Sequence, residues 1–125
     1  MTTIKKTTCV LFLLLITLSF AAYSQSASST PEERAQRWDN WMKEQLALTP
    51  EQQGKVQEIN LRYAKQNENL KTATVSRREK FKELRSTDKE KDNELKTILT
   101  KDQFHIYQEK KKAFQQEMMK NYRNK

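Results

Sequence analysis

Cysteine is nearly missing from this 125-residue chain, which holds only Cys9, and histidine is represented by His105 alone. Nucleophilic catalysis by a thiol or an imidazole therefore has almost no raw material, and no Ser or Thr stands in a visible constellation with a base. Glycine is as scarce: Gly54 is the only one, so a backbone phosphate cradle, which needs closely spaced glycines, is excluded. With Pro31 and Pro50 the only prolines, the chain also lacks the turn formers of an all-β fold. What it has in quantity is charge. Charged residues make up 32% of the chain and the mean hydropathy is -1.00. That composition, rich in Lys, Glu and Gln, favours long exposed helices.

The first two dozen residues read separately. Lys5 and Lys6 precede an apolar run from Val10 to Ile16, extended by Leu18 and Phe20, and the run exits through Ala22-Tyr23-Ser24. A basic start, a short apolar stretch and a small-x-small exit predict a cleavable signal peptide over 1–24. The run falls short of the roughly 20 apolar residues that a membrane span needs. Cys9 stands at the front of the run, not after it, so no lipid attachment is expected there. Residues 25–29 read as a disordered polar arm, and 123–125 as a basic tail.

Taking Lys5 and Lys6 from the 24 basic residues leaves 22 against 16 acidic, a net charge of +6 for the exported chain. No cysteine remains to staple it, and its large aliphatic residues are few. A core this thin predicts assembly as a dimer.

Helix-start chemistry then divides 30–122 into four helices. Thr30-Pro31-Glu32-Glu33 and Thr49-Pro50-Glu51-Gln52 each join a capping hydroxyl, a proline at the first helical position and a reciprocal acid or amide. Thr87-Asp88-Lys89-Glu90 and Thr100-Lys101-Asp102-Gln103 read as two more capping boxes. The predicted helices cover 31–47, 50–85, 88–98 and 101–122, with the hairpin turn at Arg85-Ser86-Thr87. Apolar spacing of three, four and seven supports them: Val56, Ile59, Tyr63, Leu70, Ala73, Phe81 and Leu84 form one stripe, and Phe104, Tyr107, Phe114, Met118 and Tyr122 another. The expectation is an all-α, thin, long helical hairpin. Gly54, inside the second helix, reads either as a close approach of another helix or as a surface glycine.

Two of the corners share a fuller pattern. Leu48-Thr49-Pro50-Glu51-Gln52 and Leu99-Thr100-Lys101-Asp102-Gln103 are both Leu-Thr-x-x-Gln. In an exported, basic, helical chain, this pair resembles the LTxxQ-motif family of periplasmic proteins, the Spy and CpxP group. The resemblance covers Leu46 to Phe114, and Leu48, Thr49, Gln52, Leu99, Thr100 and Gln103 carry it. It implies a cradle-like antiparallel dimer. It further implies either an ATP-independent chaperone for unfolded envelope proteins or an adaptor that docks on an envelope-stress sensor kinase.

Other surface features bear on partners. Arg77 and Arg78, and Lys110, Lys111 and Lys112, concentrate positive charge suited to acidic unfolded polypeptide or an anionic membrane surface. Nucleic acid is not an expected partner, because export removes the chain from it and interspersed acids dilute both patches. Leu61, Ala64, Val75, Ile106 and Ala113 fall off the main stripes, as a dimer seam, a client surface or scattered exposed residues. Asp102, His105 and Glu109 share a helical face, but three mixed ligands without cysteine are a poor zinc site. No metal, cofactor or catalytic residue is expected.

Overall fold

The computed structural model describes residues 29–123, and the predicted signal peptide, residues 25–28 of the predicted arm and the last two residues lie outside them. Four α-helices fill this span: α1 (Pro31–Leu46), α2 (Pro50–Thr72), α3 (Arg77–Ile98) and α4 (Lys101–Arg123). None of them is long and apolar enough to cross a membrane. Ser29, placed in the arm from sequence, is buried, and its carbonyl accepts from the Arg34 guanidinium at 2.6 Å.

Three of the expected starts are present as capping boxes. The hydroxyls of Thr30, Thr49 and Thr100 accept from the backbone N–H three residues on, and Glu33, Gln52 and Gln103 accept from the cap N–H in return. Thr87 does not start a helix. It sits buried inside α3, where its hydroxyl donates to the Glu83 carbonyl at 2.9 Å, a local bond open to any mid-helix threonine. The cap that does break the long segment is Ser76, paired reciprocally with Glu79. The hairpin turn therefore lies at residues 73–76, not at Arg85-Ser86-Thr87. α2 is 23 residues long, or about 34 Å.

The helices touch as a ring, each against its neighbours in sequence, with α4 closing back on α1. The α2–α3 hairpin is the long element. Its stem is tied by Glu94, which takes both guanidinium nitrogens of Arg62 at 2.9 and 2.8 Å and the Tyr63 hydroxyl at 2.6 Å. α1 is bound along α2 by Arg34 with Glu68 and by Asn60 donating to Asp39 at 2.7 Å. The core gathers Met42, Leu46, Leu48, Val56, Ile59, Tyr63, Leu95, Leu99 and Tyr107. These lie toward the end of α1, in the first fourteen residues of α2, near the end of α3, at the start of α4, and, for Leu48 and Leu99, in the corners between α1 and α2 and between α3 and α4. From Lys71 to Ser86 every residue is exposed except Ala73 and Lys80, which are half-buried. The hairpin thus has a packed base and a bare end.

Candidate functional site

The base is organised around the two Leu-Thr-x-x-Gln corners, which meet. Gln52 Nε2 donates to Gln103 Oε1 at 2.8 Å, and Gln103 Nε2 donates back to Gln52 Oε1 at 3.1 Å. Each amide also donates across the joint to the carbonyl that ends the other corner's incoming helix: Gln52 to Ile98 and Gln103 to Leu46, both at 3.1 Å. Since each Oε1 also accepts from its own Thr N–H, both amides use their donors and acceptors fully. Leu48 and Leu99 are buried beneath them. Sequence identified both corners but gave no sign that they face one another.

Above the joint lies a polar and aromatic layer; periodicity placed Tyr107 and Phe114 on an inward stripe but did not reveal the buried charges beside them. Lys111 Nζ reaches Asp88 Oδ2 at 2.7 Å and both Asp92 oxygens at 2.8 and 2.7 Å, while the Tyr107 hydroxyl donates to Asp92 at 2.7 Å. Only 8% of Lys111 is exposed, so it does not belong to the basic surface that sequence assigned to it. It ties α4 to α3. Lys91 is as deeply buried, its ammonium 4.0 Å from the centre of the Trp38 ring. Burial, reinforced by the neighbouring Lys111, pushes the Lys91 ammonium down to about 8. Trp38 meets Trp41 edge-on at 5.5 Å, and Phe114 stacks on Trp41 at 4.7 Å, which fixes α4 against α1. A lysine at i, i+4, i+8 with Thr87 and Leu95 was the available signal for Lys91; its charge masked the inward stripe.

The off-stripe residues do not form one face. Ile106 packs against the core, Leu61 and Ala64 are half-buried on α2, Val75 stands in the loop, and Ala113 is exposed on α4. Lys110 is exposed and donates to Gln45 at 2.7 Å, and Lys112 is exposed as well. His105 pairs with Glu109 at 3.2 Å on the surface.

A different set of residues comes together at the bare end. Phe81 and Leu84, assigned to the core stripe from sequence, are 61% and 39% exposed, and Val75 is 46% exposed. Phe81 and Leu84 lie on the first turns of α3 and Val75 in the loop before it, all outside the core cluster. Arg77 and Arg78 open this helix, and Arg85 lies over the Phe81 ring, 5.5 Å from its centre. Ser76, Arg78, Glu79, Phe81, Lys82 and Arg85 line an open groove along this flank. The Ser76-Arg77-Arg78-Glu79 capping box was the sequence signal for this arrangement, and it lay unread inside an apparently continuous stripe.

Four helices and no strand among the described residues define a small all-α bundle. The chain belongs to the family described as a domain of unknown function (DUF4890), whose model matches residues 21–107. No curated protein and no solved structure matches it.

Proposed function

We propose that this is an exported, periplasmic, ATP-independent chaperone-like protein that holds unfolded envelope proteins. The observation that carries the reading is the reciprocal Gln52–Gln103 joint. It makes the repeated Leu-Thr-x-x-Gln motif one device, not two unrelated caps, and so supports kinship with the LTxxQ-motif group. Basic surface drives capture, since Lys110 and Lys112 are exposed on a chain of net positive charge. Weak apolar contact retains the client, with no nucleotide and no catalysis. Two copies act together as a cradle-like antiparallel dimer, which covers apolar surface that one thin bundle leaves in water.

The test is suppression of aggregation of several unrelated unfolding proteins by the mature chain without ATP. Protection at equimolar ratio is expected, with slower capture for Lys110→Glu with Lys112→Glu and in high salt. Failure on every client would overturn the chaperone reading and leave a sensor-kinase adaptor, with a single saturable partner, in its place. For the dimer, a melting temperature that rises with protein concentration is expected; a concentration-independent one would rule it out.

A further inference from the structure

We infer that the bare end of the α2–α3 hairpin is a docking element for anionic lipid surfaces, independent of any client binding. Among the described residues four large apolar side chains are conspicuously exposed, and Val75, Phe81 and Leu84 are three of them. They lie within ten positions of one another, on and just after the turn. From Lys71 to Ser86 the chain carries six basic residues against Glu79 and Glu83, a local excess of four positive charges.

These charges are not evenly spread. At about 100° per residue, Leu84, Arg77, Phe81, Arg85, Arg78 and Lys82 follow one another around an arc of about 160°. Glu79 and Glu83 fall outside it, and Glu79 is already engaged by the Ser76 cap. The flank is therefore apolar and cationic, with Glu79 at the edge of its groove held by the Ser76 cap, the composition by which a surface-lying helix holds anionic headgroups while its apolar groups enter the acyl boundary. Lys80 does not compete for this role, because its ammonium caps the end of α2 at the Lys71 carbonyl, 2.9 Å away.

Shape decides between lipid and polypeptide. The groove on this flank is walled by one helix and its cap residue only, so an extended peptide laid in it would be held from a single side. A planar anionic surface meets the end of the hairpin and engages the loop and the first turns of α3 together. Since no described helix can span a bilayer, the contact is peripheral.

The experiment places a polarity-sensitive fluorophore at Thr74→Cys in the mature chain, residues 25–125, which has no other cysteine, and adds vesicles. Phosphatidylcholine vesicles are compared with an equal mixture of phosphatidylcholine and phosphatidylglycerol. A blue shift is expected with the anionic vesicles alone, reversed near 1 M salt, where the Debye length is about 3 Å. Phe81→Ser with Leu84→Ser is expected to weaken the response by about tenfold or more, and Arg78→Glu with Arg85→Glu to abolish it. Val75→Asp, which lies in the loop outside any helix, gives the same direction of change with helicity intact. A probe that stays in water while the protein sediments with anionic vesicles would overturn the inference, because the contact would then lie elsewhere. An equal shift on adding a glutamate–tyrosine copolymer without lipid would overturn it too, and would make the hairpin end a polypeptide site.

Discussion

Ala47 and Gly54 stand in each other's natural places. Ala47, the residue that ends α1, adopts a left-handed conformation with φ 49°. An L-residue there costs about 1–2 kcal/mol, which glycine would relieve, against about 0.4–1 kcal/mol of added unfolded-chain entropy. Strain wins, and Ala47→Gly is expected to stabilise by about 0.5–1 kcal/mol. Gly54 lies inside α2 with nothing within 4 Å of where a Cβ would stand, so the close-approach reading fails and Gly54→Ala is free of clash. It should add about 1 kcal/mol. Urea midpoints with an unchanged slope check both. Lys91 gives a sharper test. Its folded value of about 8 lies below the ordinary lysine value near 10.4, so between these the unfolded chain binds the extra proton. Stability therefore rises with pH from about 8 upward, by about 2–3 kcal/mol toward pH 10. Asp88, Asp92 and Asp39 face Lys91 and partly offset the effect of burial. Above about pH 10 the sign reverses. Burial, then the Glu94 hydrogen bond, pushes Tyr63 up to about 12, and burial beside Asp92 raises Tyr107 as well. The folded state then keeps protons that the unfolded state has lost. The urea midpoint should peak near pH 10 in wild type and lose its rising limb in Lys91→Met; a wild-type curve flat from pH 8 to 10 would contradict the burial argument.

The elements are joined by amides, and that sets what a deletion does. Truncating Gln52 alone strands one acceptor and one donor of Gln103 and frees the Ile98 carbonyl; truncating Gln103 does the same to Gln52 and Leu46. Most of the loss is therefore shared between the two changes. Gln52→Ala and Gln103→Ala should each destabilise by about 1–3 kcal/mol, with a coupling of about 1–2 kcal/mol in the double-mutant cycle. Strict additivity would mean that the two corners act separately. This joint also marks the boundary of what could be read from the chain. Capping at Thr30, Thr49 and Thr100 is local chemistry within three residues, and it was legible in full. The meeting of Gln52 with Gln103 depends on how four helices close into a ring, and no local pattern encodes it. The misplaced turn has the opposite cause. Thr87 and Glu90 have the spacing of a cap but stand in mid-helix, while Ser76 and Glu79 interrupt a stripe whose apolar spacing runs on across the break. Lys91 and Lys111 were unreadable for a third reason: charge is the usual mark of an outward face, and here it points inward toward Trp38, Asp88 and Asp92.

Across the whole molecule, stability and exposure are distributed along the hairpin in opposite senses. The base carries the apolar core, the crossed amides and the Lys111 pairs; the far end carries solvent-exposed turns held by the Ser76 cap and the Lys80 contact to the end of α2. Local opening of the far end breaks few buried contacts, so it costs much less than global unfolding. Opening the base separates all four helices. Amides from residues 56–63 and 91–99 should therefore exchange only with global unfolding and follow its denaturant dependence. Those from 70–84 should exchange through small openings that barely respond to denaturant. Native-state hydrogen exchange with increasing urea distinguishes the two classes. Ser76→Ala, which removes the cap at the bare end, should speed exchange across 70–84 and leave the base unchanged. Gln103→Ala should lower protection at the base by the full loss in global stability. If Ser76→Ala reduced protection at both ends equally, the hairpin would open as one unit. The far end would then be part of the cooperative fold and not a separate surface free to engage a partner.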